Sequence, residues 1–276
     1  RFDCVLGSVK NATGALGGFT LKIDGLQQVI VGGRGAFNLT PPQDGAASQC
    51  DIIVDLSGKK PMFPAHEKRD GYLRADPTHA PSVAKAVFAA SQMIGTFEKP
   101  LYVRLEESLC AHKRAEQPAC SNCLNVCPTG AILSAGEHVT IDPMICAGCG
   151  SCAAVCPSGA ISYDAPPVDT IFRRLSTLAS IYTQAGGENP RLLVHDGATG
   201  VEMIALAARF GRGLPSDVIP LETDALSGFG HAEIMAALAC GFGEVNIVAF
   251  PKSELDVIEG QIALATALSG RDTIHL

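Results

Sequence analysis

Cysteines are the residues of this sequence whose spacing most directly predicts chemistry. The chain has 11 of them, and eight lie between Cys110 and Cys156. The second half of this stretch reads Cys146-Ala-Gly-Cys149-Gly-Ser-Cys152-Ala-Ala-Val-Cys156-Pro157, which is the spacing C-x2-C-x2-C-x3-C-P. In this pattern three closely spaced thiolates bind three corners of one iron–sulfur cube, and the fourth thiolate, before proline, binds a second cube. Small residues between the ligands let backbone amides approach the cluster sulfurs.

The first half of the stretch is a copy of the second. The segment from 120 to 128 coincides with the segment from 149 to 157 after a shift of 29 residues, and 8 of the 14 positions from 120 to 133 are identical to their counterparts. A duplicated cluster-binding unit predicts two clusters. The same shift pairs Cys146 with Gln117, which cannot replace a thiolate. We therefore predict that Cys110, the nearest thiol upstream, is the missing ligand.

The ligands are expected to cross over between the two copies. The first cluster is predicted to take Cys110, Cys120, Cys123 and Cys156, and the second to take Cys146, Cys149, Cys152 and Cys127. Zinc is the alternative, because C-x2-C pairs also bind zinc tetrahedrally, but zinc does not account for two C-x3-C-P endings. Without Cys110 the first site would hold three cysteines and could bind a 3Fe–4S cluster. Residues 111–119 form a loop in this scheme, and its Lys113 and Arg114 are either a docking patch or a solvated surface.

The composition excludes several classes of protein. With 276 residues, 47% of them hydrophobic and 18% charged, the chain can bury real cores and is not a disordered tail. An odd, clustered set of cysteines argues against a disulfide scaffold. The formal net charge of −7 and the absence of a long basic run argue against nucleic-acid binding. No apolar run of the sequence is long enough for a membrane span.

Two resemblances to known families follow from these residues. The cysteine region resembles two-cluster bacterial-type ferredoxins, from which it departs at the stretched spacing between Cys110 and Cys120. The whole chain resembles the C-terminal part of a longer family of bacterial 4Fe–4S binding proteins, through the runs at 63–76 (FPAHEKRDGYLRAD), 141–149 (IDPMICAGC) and 208–215 (ARFGRGLP). That family is associated with molybdenum-dependent formate dehydrogenases, which implies an electron-transfer or accessory role near such enzymes. The last domain is also distantly similar to the delta subunit of methyl-viologen-reducing hydrogenase, whose cysteines are not present here.

The predicted fold class is α+β and α/β in three parts. Residues 1–105 are expected to form an N-terminal α/β region, β-rich at its start, with a β-hairpin that turns at Asp24-Gly25. Residues 106–167 are expected to form a dicluster 4Fe–4S domain of the ferredoxin-like (β-α-β)2 type. Residues 168–276 alternate strands with helices, which predicts a three-layer α/β domain with a mostly parallel sheet.

The C-terminal domain offers one candidate for catalysis. Ligands of parallel α/β sheets bind beyond the carboxyl ends of the strands. There, His195 and Asp196 follow a predicted strand and could form an acid–base pair. We favour a structural or partner-binding domain, because two adjacent titratable residues without known geometry are weak support for catalysis.

We therefore expect an iron–sulfur electron-transfer protein with two 4Fe–4S clusters, an electron-transfer component of a larger redox system rather than a stand-alone oxidoreductase. The expected partners are redox proteins, among them a molybdenum-dependent formate dehydrogenase, and the expected location is the bacterial cytoplasm. The alternatives are an accessory or maturation factor with structural clusters, and a reductase with a substrate site in the C-terminal domain. Because the chain begins at Arg1 without Met and stops within a predicted strand, we expect it to be a piece of a longer protein.

Overall fold

The computed structural model of the chain describes residues 3–30, 38–114, 117–250 and 253–276. These residues form a mixed α/β structure that divides into two compact units, Arg1–Lys99 and Pro100–Leu276. The boundary predicted between residues 167 and 168 falls inside the second unit. In the described ranges, no helix combines the length and the apolar character needed to cross a membrane.

The first unit is built on a long antiparallel hairpin. Its elements are strands β1 (Val5–Thr13), β2 (Phe19–Ile30), β3 (Asn38–Leu39), β4 (Ala46–Cys50), β5 (Ile53–Asp55) and β6 (Tyr72–Arg74), and helix α1 (Ala80–Gln92). Strand β2 pairs antiparallel with β1, β3 and β4, whereas β5 and β6 pair parallel. Gly14 makes the turn between β1 and β2 possible, because its φ is 96° and an added Cβ would lie 2.2 Å from the Gly18 oxygen.

The turn predicted at Asp24-Gly25 is wrong, because β2 runs through both residues. Asp24 Oδ1 accepts the N–H of Gly45 at 2.9 Å, and Asp44 Oδ1 accepts the N–H of Gly25 at 2.8 Å. These reciprocal bonds tie one Asp-Gly pair to another. Gly25 adopts a left-handed φ of 63°, so the strand continues past an irregularity in its pairing instead of reversing.

The segment from 63 to 76 packs into the core of the first unit. Phe63 and Tyr72 are buried with their ring centroids 5.1 Å apart, and the Arg69 guanidinium lies 4.7 Å from the Phe63 ring centre. The Tyr72 hydroxyl donates a hydrogen bond to Asp55. Burial by itself would raise the pKa of Asp55, but hydrogen bonds from Ser57 and Tyr72 outweigh burial and lower the pKa. Phe63, Arg69 and Tyr72 of this run therefore belong to the core of the first unit, whereas Glu67 and Asp70 are exposed.

The first part of the second unit contains two copies of a short helix followed by a strand. Its first elements are β7 (Val103–Leu105), β8 (Lys113–Arg114), β9 (Gln117–Pro118), α2 (Asn122–Val126), β10 (Ile132–Ala135), β11 (His138–Ile141), α3 (Ser151–Ala154) and β12 (Ile161–Tyr163). Helix α2 and strand β10 recur as α3 and β12 after 29 residues, which is the shift of the sequence duplication. Strand β7 pairs antiparallel with β12, and β10 pairs antiparallel with β11.

A parallel sheet follows in the same unit. Its elements are α4 (Val168–Gln184), β13 (Arg191–Asp196), α5 (Thr199–Phe210), β14 (Val218–Thr223), α6 (His231–Ala239), β15 (Glu244–Ile247), α7 (Leu255–Ser269) and β16 (Ile274–His275). The strands lie in the order β14-β13-β15-β16 and all pair parallel, which confirms the predicted parallel sheet. Because such crossovers are right-handed, the reversal after β14 is expected to place α5 on one face and α6 and α7 on the other. The core buries Leu175, Leu192, Val194 and Ile234.

Candidate metal centre

Five of the eight predicted ligands lie in or against one apolar core. Cys123 on α2 and Cys152 on α3 are buried, and the other six predicted ligands are half-buried. The core that contains Cys123 and Cys152 is completed by Ile132, Val139 and Ile161, and Cys110, Cys127 and Cys156 pack against it. The structure therefore places Cys110, the ligand with the irregular spacing, against the core that contains a cysteine of each copy.

Four of the predicted ligands line a single cavity, namely Cys127, Cys146, Cys149 and Cys152. The cavity contains about 340 Å³ of space without atoms, including the part open to solvent. Apolar side chains such as Val103 form much of the remaining wall. This set is the one predicted for the second cluster, and it includes Cys127 from the first copy.

Apart from burial, each of the two buried thiols is affected mainly by the other predicted ligands of its own set. Burial, and after it the negative charges of Cys120, Cys156 and Cys110, raises the pKa of the Cys123 thiol to about 11. Burial is also the largest cause that raises the pKa of Cys152, and the further causes are, in order, Cys149, Cys146, Cys127 and Cys123. Thiols with raised pKa values must lose their protons to bind metal, so loading of the site is expected to release protons.

Polar groups lie near the sulfurs of the two cysteines that precede proline. The Ile161 N–H donates to Cys156 Sγ at 3.4 Å. The Thr129 hydroxyl lies 3.7 Å from Cys127 Sγ, and the Ser158 hydroxyl lies 3.7 Å from Cys156 Sγ. These hydroxyls occupy the same place in the two copies. Sequence reasoning missed them, although the 29-residue shift pairs Thr129 with Ser158.

Two tyrosines hold the loop between Cys146 and Cys149. Gly148 has a φ of 73°, and an added Cβ would lie 2.6 Å from the Tyr102 ring. On the same loop, the Tyr163 hydroxyl donates to the Gly148 oxygen at 3.2 Å. Burial raises the pKa of Tyr163, so this hydroxyl keeps its proton and remains a donor. Only glycine satisfies both the backbone angle and the contact with the ring.

The insertion between Cys110 and Cys120 is a closed loop. Strands β8 and β9 pair within it, and His112 is buried at its base. The His112 Nδ1 lies 2.7 Å from the Cys120 oxygen, and its Nε2 lies 2.7 Å from Ser134 Oγ. His112 therefore ties the insertion to the backbone of Cys120. The side chains of Lys113 and Arg114, considered above as a docking patch, lie outside the described part of the chain.

His195 and Asp196 do not form an acid–base pair in the structure. The His195 ring is buried, and its Nδ1 lies 2.8 Å from the backbone oxygen of Asp196. The Asp196 carboxylate instead accepts the N–H of Gly200 at 2.7 Å, in the first turn of α5. Such a bond satisfies a backbone donor that a helix leaves open at its start. In this structure both residues therefore support the local fold.

The donor set suits a cluster better than a single ion. Zinc binds thiolates at about 2.3 Å, so its ligands crowd around one centre. An iron–sulfur cube instead fills the space between thiolates and accepts hydrogen bonds at its sulfurs. Four thiols around a largely apolar cavity fit a group of that kind.

Comparison with known proteins agrees with this geometry. A family model described as a 4Fe-4S dicluster domain matches residues 118–160. The chain contains a ferredoxin-like iron–sulfur domain. The matched range includes seven of the eight predicted ligands and begins after Cys110. It indicates 4Fe–4S cluster binding and supports an electron-transfer role. A search of the curated proteins found no match to the chain.

Proposed function

We propose that the chain is an electron-transfer module that carries two 4Fe–4S clusters and relays single electrons between redox proteins. The observation that carries this proposal is the crossed-over set, in which Cys127 of the first copy lines one cavity with three cysteines of the second. Bound clusters would supply the redox chemistry, since each can take up and give back one electron. The residues of the chain hold the clusters, exclude water and supply hydrogen bonds to sulfur.

The proposed ligands divide into two sets of four. Cys110, Cys120, Cys123 and Cys156 would hold the first cluster, and Cys146, Cys149, Cys152 and Cys127 would hold the second. The first set is supported by the three thiols whose charges raise the pKa of Cys123. It is also supported by the packing of Cys110 against the core shared with Cys156. The second set is supported by the cavity.

Metal analysis of the full chain, purified without oxygen, tests the cluster number. We expect about eight iron atoms and about eight acid-labile sulfides per chain, with a spin-coupled EPR signal after reduction. About four iron atoms with a single uncoupled signal would refute a dicluster module. Protons released during loading would provide an independent sign that thiols with raised pKa values are the ligands.

Replacement of Cys110 by serine tests the ligand that the family match does not cover. We expect Cys110→Ser to lose the first cluster or convert it to a 3Fe–4S form, because serine is a poor substitute for the thiolate, while the second cluster stays. Cys4→Ser is the matched control, because Cys4 is an exposed thiol of the first unit. Retention of both clusters in Cys110→Ser would refute the assignment.

The proposed partners are redox proteins of a larger bacterial system, among them a molybdenum-dependent formate dehydrogenase, and the proposed location is the cytoplasm. The support for this partner is the resemblance of the runs at 63–76, 141–149 and 208–215. Formate and such an enzyme should bleach the visible absorbance of the clusters as dithionite does. If dithionite bleaches them and formate with the enzyme does not, this partner is wrong.

A further inference from the structure

A buried serine lines the cavity of the second site. Ser151 is 0% exposed and lines the cavity together with Cys127, Cys146, Cys149 and Cys152. Within the part of the chain that the structure describes, its Oγ has no hydrogen-bond partner. Buried hydroxyls almost always have a partner, because they have lost their bonds to water. The partner of Ser151 is therefore expected to be a group that occupies the cavity.

Close backbone packing keeps Ser151 away from solvent. Gly150, the preceding residue, has a φ of 80°, and an added Cβ would lie 2.7 Å from Gly228 Cα. Gly228 ends a short 3₁₀ turn, Leu226–Gly228, which follows β14. Gly230 also lies close to α3, since its added Cβ would be 3.0 Å from the Ala154 Cβ. The turn and its surroundings thus cover the start of α3, where Ser151 is the first residue.

The other copy has no such hydroxyl. The 29-residue shift pairs Ser151 with Asn122. Asn122 is exposed, and its side-chain amide donates to the Val155 oxygen at 3.3 Å. The two sites therefore differ at this position in both burial and hydrogen bonding. A buried donor next to the ligands is a feature of the second site.

We infer that the Ser151 hydroxyl donates a hydrogen bond to a sulfur of the cluster held by Cys127, Cys146, Cys149 and Cys152. This bond raises the reduction potential of that cluster. The inference rests on the proposed function. A hydrogen bond to sulfur stabilises the reduced cluster more than the oxidised cluster, because the reduced cluster carries more negative charge. The effect is confined to the second cluster, since Asn122, the counterpart of Ser151, is exposed and its amide donates to the Val155 oxygen.

Redox titration of the loaded full chain, followed by EPR, tests the inference. Ser151→Ala removes the hydroxyl without adding volume. We expect it to lower the midpoint potential of one cluster by about 59 mV, which is a tenfold change in the ratio of oxidised to reduced cluster for a one-electron couple. The other potential should not move. Asn122→Ala is the matched control and should leave both potentials unchanged. In a Cys110→Ser background the shift should persist, which assigns it to the second cluster.

A measurement on the unaltered protein covers the case in which Ser151→Ala does not load its clusters. After brief exposure to D2O, the reduced second cluster should show a magnetic coupling to a rapidly exchanged deuteron, because a hydroxyl exchanges faster than a buried amide. Absence of this coupling, or equal potentials in Ser151→Ala and the unaltered protein, would overturn the inference while leaving a dicluster module in place. Absence of two clusters in the unaltered protein would instead refute the proposed function.

Discussion

Replacing Gly150 by alanine should lower the free energy of unfolding for two reasons, an unfavourable backbone conformation and a steric overlap. Its φ of 80° is left-handed, which costs a residue with a Cβ about 1–2 kcal/mol. An added Cβ would also lie 2.7 Å from Gly228 Cα and 3.0 Å from its nitrogen. These are backbone atoms, which cannot swing aside as the end of a side chain can, so overpacking adds about 1–3 kcal/mol. Gly150→Ala should therefore destabilise the second unit by about 2–5 kcal/mol.

Gly159 provides the matched control for this prediction. It has a φ of 66°, and an added Cβ would meet no atom within 4 Å. Gly159→Ala should therefore carry only the conformational cost of about 1–2 kcal/mol. Since 1 kcal/mol shifts the Tm of a unit of this size by about 2–4 °C, Gly150→Ala should melt clearly below Gly159→Ala.

Thermal unfolding of both variants, loaded with clusters and kept without oxygen, would measure the difference. Circular dichroism follows the fold, and the visible absorbance follows the clusters in the same scan. We expect Gly150→Ala to lose cluster absorbance at a lower temperature than Gly159→Ala, because the helix of Cys152 starts at Ser151, next to the substitution. Equal Tm values for the two variants would refute the close contact between Gly150 and Gly228.

Two further predictions concern parts of the chain away from the cysteines. Asp196→Ala removes the acceptor of the Gly200 N–H and should lower the free energy of unfolding by about 1 kcal/mol. We expect a fall in Tm with unchanged iron content. Loss of iron would contradict a purely structural role of Asp196. The lowered pKa of Asp55 stabilises the first unit above the ordinary carboxyl pKa of about 4, and this stability is lost as pH falls through the lowered value. Tyr72→Phe removes a hydrogen-bond donor to the charged Asp55 carboxylate, so it should lower the free energy of unfolding at neutral pH by about 1.5–3 kcal/mol. Its Tm should lie below that of the unaltered protein at neutral pH, and the difference should be smaller in acid.

The parts of the fold that sequence predicted well are those set by short-range patterns. The alternation after residue 190 predicted the parallel sheet, because hydrophobic strands and amphipathic helices of ordinary length repeat there. The spacing of the cysteines predicts that Cys127, Cys146, Cys149 and Cys152 bind one cluster, since ligand spacing reflects the geometry of the group it binds, and this assignment stays a prediction. The duplication predicted the recurrence of α2 and β10 as α3 and β12.

The failures come from contacts between residues that are distant in sequence. Asp24-Gly25 has the composition of a hairpin turn, but its backbone bonds to Asp44 and its carboxylate to Gly45 keep it inside a strand. Equally, nothing local to Ser151 indicates burial, because the turn that covers it, Leu226–Gly228, comes after β14. Propensity describes what a segment prefers alone, and tertiary partners override it at such positions.

The two proposed sites each have four cysteine ligands. The duplication and the parallel sheet together give a reason to expect different reduction potentials at the two sites. Both copies offer a hydroxyl near the cysteine before proline, at Thr129 and at Ser158. Thr129 is buried and Ser158 is exposed, so the contact between Thr129 and Cys127 is screened less by water than the contact between Ser158 and Cys156. Cys127 belongs to the second set, which also contains the cavity that Ser151 lines. We therefore expect the Ser151 hydroxyl to raise the potential of the proposed second cluster relative to that of the proposed first, so that an electron shared by the two resides mainly on the second.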